Sequence, residues 1–146
     1  MYKRQGPDGT GRILAGVRLF IVRHAEAAQG SPDDLRPLSD VGRMQARRLG
    51  RQFADDGIRP DAVLSSPLLR ARETAAEIAK AVGVEAEPDE RLAPGADPDD
   101  VRAAASGRGE TVVVVGHQPD CGRAAAAFSG GPEPAFPPGG VFAVEI

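Results

Sequence analysis

Several ingredients are scarce in these 146 residues, and each scarcity excludes something. There is one cysteine, Cys121, so no disulfide can form within the chain, and a reducing, cytoplasmic compartment is expected. Tryptophan is absent and aromatic residues make up 4%, which leaves Val, Leu, Ile and many Ala to build the core. No apolar run approaches the roughly 20 residues that cross a bilayer, so no membrane association is expected. The opening stretch carries Lys3, Arg4, Pro7 and three glycines without the apolar segment of a signal peptide. Residues 1–16 therefore read as a flexible tail ahead of a single domain at 17–146. Neither charge dominates: 18 Lys plus Arg face 21 Asp plus Glu, for a net charge of −3. A nucleic-acid module would show a strongly basic balance, and none is expected here. Lysine itself is confined to Lys3 and Lys80, so arginine carries the positive charge. An arginine is usually a surface residue, but its planar fork also fits phosphate.

What is present is a core-forming chain, 41% hydrophobic and 27% charged. Arg18 to Val22 is a short apolar run that reads as a buried strand. Ser39 is placed to cap a helix running to about Asp55, with Val41, Met44, Leu49 and Phe53 expected on its inner face. Ala62 to Ser65 reads as a second strand, after which Ser66 would cap and Pro67 would open a helix ending at Gly83. Val84 to Ala86 reads as a short strand, and Asp97-Pro98 opens a short helix. Thr111 to Val115, with four consecutive valines, is the clearest strand. An alanine-rich helix, a Gly/Pro loop and a last strand from Val141 to Ile146 follow. Strands alternating with helices predict an α/β fold: a three-layer sandwich with a mostly parallel central sheet flanked by helices.

The chain has two histidines, and each closely follows a predicted strand. In open parallel sheets, ligands collect beyond the carboxyl ends of the strands. Either histidine alone reads more simply as a strand end bonded to a loop. Both together, each beside a cationic or glycine-bearing motif, read as one site.

Three motifs carry the chemistry. They are Arg23-His24-Ala25-Glu26, then Ser65-Ser66-Pro67-Leu68-Leu69-Arg70-Ala71-Arg72-Glu73-Thr74, then four valines with Gly116-His117. In this order and spacing, with Arg36-Pro37-Leu38-Ser39-x-x-Gly42-x-x-Gln45-Ala46 and Leu92-x-Pro94-Gly95 between them, the chain resembles the histidine phosphatase superfamily, which includes the phosphoglycerate mutases. The resemblance runs from about Arg18 to the C-terminus and is strongest to the small bacterial phosphohistidine phosphatases of the SixA type. It implies a phosphoglycerate mutase-like fold, a phosphohistidine intermediate on His24, and an electrophilic clamp of Arg23, Arg70 and His117. It implies no cofactor and no metal. Two histidines among arginines are also a poor metal-ligand set.

Physical chemistry supports the same roles. A phosphoryl group in transfer spreads charge over three oxygens, so fixed cations must surround one nucleophile. Arg23, Arg70 and a protonated His117 can supply that phosphate-binding cradle. Arg70 would lie in the first turn of its helix, where free N–H groups also attract anions. The neighbouring arginines should keep His24 unprotonated and nucleophilic.

The chain departs from the family pattern in two ways. Ala25 stands where glycine is usual, and its methyl would crowd a phosphate if the backbone had to approach closely or adopt positive φ. Neither standard proton donor is present: the stretch after Leu92 is Ala93-Pro94-Gly95, and Gln118 follows His117. Glu26 and Asp120 are the candidate donors, weighed against plain loop carboxylates or, for Asp120, a helix cap. A phosphohistidine substrate, with its labile P–N bond, would need little help. The expected partner is thus a phosphorylated protein, either a phosphohistidine carrier or a histidine kinase domain. A small phosphorylated metabolite is the alternative, as is a phosphate-binding module without turnover.

Two rival motifs fail. Asp97-x-Asp99-x-Val101 matches an aspartyl-phosphate signature but lacks the required preceding strand. Cys121 lacks the arginine six positions on that a cysteine phosphatase needs; residue 127 is alanine.

Overall fold

The structure, a computed structural model, describes residues 16–146. Of the stretch expected as a tail, residues 1–15 lie outside the described residues. The elements run β1 (Arg18–Arg23), α1 (Asp40–Asp55), β2 (Ala62–Ser65), α2 (Leu69–Val82), β3 (Ala86–Pro88), α3 (Pro98–Ala105), β4 (Thr111–Gly116), α4 (Asp120–Ser129) and β5 (Val141–Glu145). Short 3-10 turns at Asp33–Leu35 and Glu90–Leu92 punctuate the loops.

The sheet order is β3-β2-β4-β1-β5. Four strands are parallel, and β5 runs antiparallel to β1 along the outer edge. Because side chains alternate along a strand, each strand feeds both faces. Leu19, Ile21, Leu64, Val112 and Val114 pack on one face with Val101 and Ala104 of α3 and Ala124 of α4. Phe20, Val22, Val63, Val113 and Val115 pack on the other with Phe53 of α1 and Ala71, Ala75 and Ile78 of α2. Helices thus cover both faces, which is the three-layer α/β arrangement. Each fully buried Val, Leu or Ile contributes about 1.5–3 kcal/mol before the entropy of ordering is counted.

Three local expectations need correction. On α1 the buried residues are Gly42, Ala46, Gly50 and Phe53, while Val41 and Met44 are exposed and Leu49 is only partly covered. The reason is distance. A Cβ on Gly50 would come within 2.7 Å of the Glu77 carbonyl oxygen on α2, so only small residues fit where the helices meet. Next, α2 begins at Leu69 rather than Pro67, and Ser66 is not its cap. The third strand lies at Ala86–Pro88, two residues later than the apolar residues suggested. The α1 cap is as expected, since Ser39 Oγ accepts the Gly42 N–H at 3.0 Å. Asp97 and Asp100 form a reciprocal capping box on α3, which explains the Asp-x-Asp pattern there.

The register decides where function can sit. Arg23 pairs with Gly116 and Ser65 with Val115, so β1, β2 and β4 end at one level. The next residues of each strand, His24, Ser66 and His117, emerge together at the carboxyl edge of the sheet.

Candidate active site

The two imidazoles converge. Their ring centroids are 5.2 Å apart, at an interplanar angle of 59°. The His24 N–H donates to the Gly116 carbonyl at 3.0 Å, extending the ladder one residue past the strands and fixing the ring's base. His24 Nδ1 lies 2.7 Å from the Ala25 carbonyl oxygen. That contact requires the proton on Nδ1, which leaves the Nε2 lone pair free for attack. His117 is buried, and its Nε2 sits 2.7 Å from the Ser66 hydroxyl. Ser66 Oγ also accepts the Leu68 N–H at 3.2 Å. The serine therefore orients His117 from the loop that leads into α2.

Three arginines surround the pair. Arg70, in the first turn of α2, is buried and donates through Nη1 to the Asp33 carbonyl at 2.8 Å and through Nη2 to Asp33 Oδ2 at 3.2 Å. Arg23 donates through Nη1 to the Phe136 carbonyl at 2.9 Å. Its Nε is a buried donor without a partner among the described residues. Arg36 bonds the Ala28 carbonyl and Asp33 Oδ1. The structure thus brings His24, Arg23, Arg70 and His117 to one place.

Sequence reasoning missed four contributors. Thr74 Oγ1 accepts the Ala25 N–H at 3.0 Å and donates to the Arg70 carbonyl at 2.8 Å, tying the loop of the first histidine to the helix of the second arginine. Ser66, Arg36 and Asp33 complete the surround. Thr74, Ser66 and Arg36 stand inside the motifs quoted above, and Thr74 and Ser66 each lie four positions from Arg70. Asp33 gave no signal, since exposed loop carboxylates are common.

The candidate donors separate. Glu26 is exposed, and its Oε1 accepts the Ser39 hydroxyl at 3.0 Å. Asp120 is buried, accepts the Gly95 N–H at 2.8 Å instead of capping α4, and shares with His117 a small cavity of about 20 Å³. Ala25 is accommodated. Its methyl is fully buried against Leu38 and Ala46, and no non-glycine residue among those described has positive φ. Cys121 is buried, and burial pushes its thiol up to about 12, so it is inert. No helix among the described residues is long and apolar enough to cross a membrane.

The cations and the burial act on both imidazoles. Burial first, then Arg70, Arg23 and Arg36, lower the His24 pKa below its ordinary 6.5, against a backbone hydrogen bond that raises it. His117 is pushed down to about 4, by burial, then His24, Arg70 and Arg23, with Asp33 opposing. His117 is therefore neutral in the empty site at pH 7, in contrast to the protonated ring expected from sequence. Folding stability follows. Between pH 6.5 and about 4 the unfolded chain binds a proton at residue 117 that the folded chain refuses, so stability present at neutral pH is lost as pH falls through that window. His117→Gln should remove up to about 3 kcal/mol of this acid loss. A melting temperature that falls as steeply with acid in the variant as in the parent would refute it.

A model of the histidine phosphatase superfamily (branch 1) matches residues 19–94, and the chain belongs to that superfamily. Among solved structures, it superposes on the protein histidine phosphatase SixA complexed with tungstate with a TM-score of 0.79 at 29% identity, covering 87% of this chain and 86% of that one. A structure from Agrobacterium tumefaciens that carries the name phosphohistidine phosphatase SixA gives 0.78 at 27% identity, with 88% and 90% covered. An uncharacterized protein of Picosynechococcus is 32% identical over 123 residues, 79% of this chain and 74% of its own length. The mitochondrial serine/threonine-protein phosphatase Pgam5 of Drosophila simulans is 39% identical over 70 residues, 47% of this chain and 24% of that protein. The fold and family support a phosphatase.

Proposed function

We propose that this chain hydrolyses phosphohistidine on proteins by passing the phosphoryl group through Nε2 of His24. The observation that carries this reading is the convergence of a tautomer-locked His24 with His117, their ring centroids 5.2 Å apart, beside the charges of Arg70 and Arg23. The tungstate bound by the SixA neighbour is a tetrahedral oxyanion of the kind such a cradle accepts.

In the first step, His24 Nε2 forms a bond to phosphorus as the P–N bond of the substrate breaks, and the departing imidazole nitrogen takes up a proton. Water then attacks the new phosphohistidine, releasing inorganic phosphate and restoring His24. Arg23 and Arg70 hold the phosphoryl oxygens in both steps. Asp120, buried beside His117, is better placed than Glu26 to supply a proton where the leaving group needs one. No cofactor or metal enters this scheme.

A protein-borne substrate is favoured by the surroundings of the site. Leu35, Val41 and Met44, exposed by 58%, 51% and 60%, lie on the segment from the Asp33 turn into α1. Exposed apolar side chains beside arginines suit contact with another protein. The test compares kcat/KM for a histidine peptide phosphorylated by phosphoramidate with values for an aryl phosphate and a sugar phosphate. The peptide should lead by about tenfold or more. A sugar phosphate in the lead would make the chain a metabolite phosphatase, and binding without turnover of any of them would make it a phosphate-binding module.

A further inference from the structure

Arg70 is the cradle's most deeply set cation, yet both of its terminal nitrogens are turned toward one residue. Nη1 donates to the Asp33 carbonyl and Nη2 to its carboxylate. The two sides of this ion pair differ in depth: the Arg70 side chain is 10% exposed and that of Asp33 66%. The guanidinium is fixed by its surroundings, whereas the carboxylate faces solvent and has room to turn. It also has a second partner. Asp33 Oδ1 accepts from Arg36 Nη1 at 3.0 Å, and Arg36 is itself anchored by the Ala28 carbonyl at 2.8 Å. A carboxylate that lets go of Arg70 keeps an ion pair. Meanwhile the bond from Arg70 Nη1 runs to the main chain of Asp33, so part of the aim of Arg70 does not depend on the carboxylate.

We propose that Asp33 is the resident anion of the empty cradle: its carboxylate occupies Arg70 when no phosphoryl group is bound and competes with inorganic phosphate for that guanidinium, so that product leaves readily. This deepens the reading of the site as a phosphatase cradle and rests on it. The physical basis is that an ionised carboxylate and a phosphate oxygen want the same donors, and like charges sharing them repel. Hydrogen bonds from Arg36 and Arg70 hold the Asp33 carboxyl below the ordinary carboxylate range, so it stays charged wherever the enzyme would work.

Asp33→Asn tests it, because asparagine keeps the main-chain carbonyl, the shape and an acceptor oxygen but removes the charge. Binding of inorganic phosphate to the full chain, measured by calorimetry at low salt, should tighten by about fivefold, the scale of one solvent-facing charge contact. The gain should shrink in about 1 M salt, where such repulsion is screened. The product-inhibition constant for phosphate should fall by the same factor, and Asp33→Glu should stay near the parent. Unchanged or weaker binding in Asp33→Asn, with the parent still binding phosphate, overturns this inference alone and leaves Asp33 as a residue that merely aims Arg70. Binding by neither protein overturns it together with the cradle reading beneath it.

Discussion

His24→Ala should lower kcat/KM for every phosphoryl substrate by about 10⁴-fold or more, while inorganic phosphate still binds. The asymmetry is the point. Arg23 and Arg70 reach the site from other side chains, and their contacts to the Phe136 and Asp33 carbonyls do not involve the imidazole. Removing the ring deletes the proposed acceptor of phosphorus but leaves the arginines proposed to hold its oxygens. In the parent, a reaction quenched during turnover should contain a phosphoryl adduct that survives base and is lost in acid, located at residue 24 by mass spectrometry. The variant should show none. Phosphate release that survives the substitution, or an adduct at another residue, would sink the nucleophile assignment. The side chain is only half-buried, so the variant is expected to fold.

The two rings share a charge state while the site is empty. A nucleophile must be neutral, and burial with three nearby arginines keeps His24 so at neutral pH. His117 feels the same forces more strongly and is neutral too while the site is empty. A phosphoryl group placed among these cations reverses the local field, because its oxygens bring up to two negative charges at pH 7. A bound phosphoryl group should therefore raise the His117 pKa from its value in the empty site. Ser66, bonded to Nε2, keeps the ring oriented in the meantime.

How much of this could be read from residue order differs by element. The parallel core was legible because β1 and β4 are continuous apolar runs, which only a strand buried on both faces tolerates. His24 and His117 were legible because each lies within two residues of the end of such a run. The depth of α1 was not. An inner face written as Val41, Met44, Leu49 and Phe53 assumes that large apolar residues point inward. Here the neighbouring backbone comes so close that glycine and alanine take the inner positions and the larger residues are turned out. Asp33 was equally invisible, since its meaning comes from a contact with a residue 37 positions later. Register created the site, and register is a property of pairing that no single segment carries.

The tightest of these backbone contacts gives the second large effect. Gly42→Ala should destabilise the fold by about 3 kcal/mol or more and lower activity in parallel, although Gly42 touches no candidate catalytic side chain. A Cβ built there would overlap the Glu26 carbonyl oxygen and come within 2.9 Å of its carbon. Those are main-chain atoms, so no rotamer change relieves the clash. The helix must withdraw or the Glu26 segment must move. That segment is pinned on every side: the Glu26 carbonyl accepts the Ser39 N–H at 3.0 Å, its N–H donates to Gln45 Oε1 at 2.9 Å, and the preceding Ala25 carbonyl holds His24 Nδ1. Displacing it loosens the contact that sets the His24 tautomer, so kcat should fall along with the melting temperature. Gly131→Ala is the matched control, because its added methyl meets only the Ser129 hydroxyl at an ordinary 3.5 Å. A Gly42→Ala protein as stable as that control would show that α1 and the His24 loop do not lie this close together, and the placement of the nucleophile would have to be redrawn.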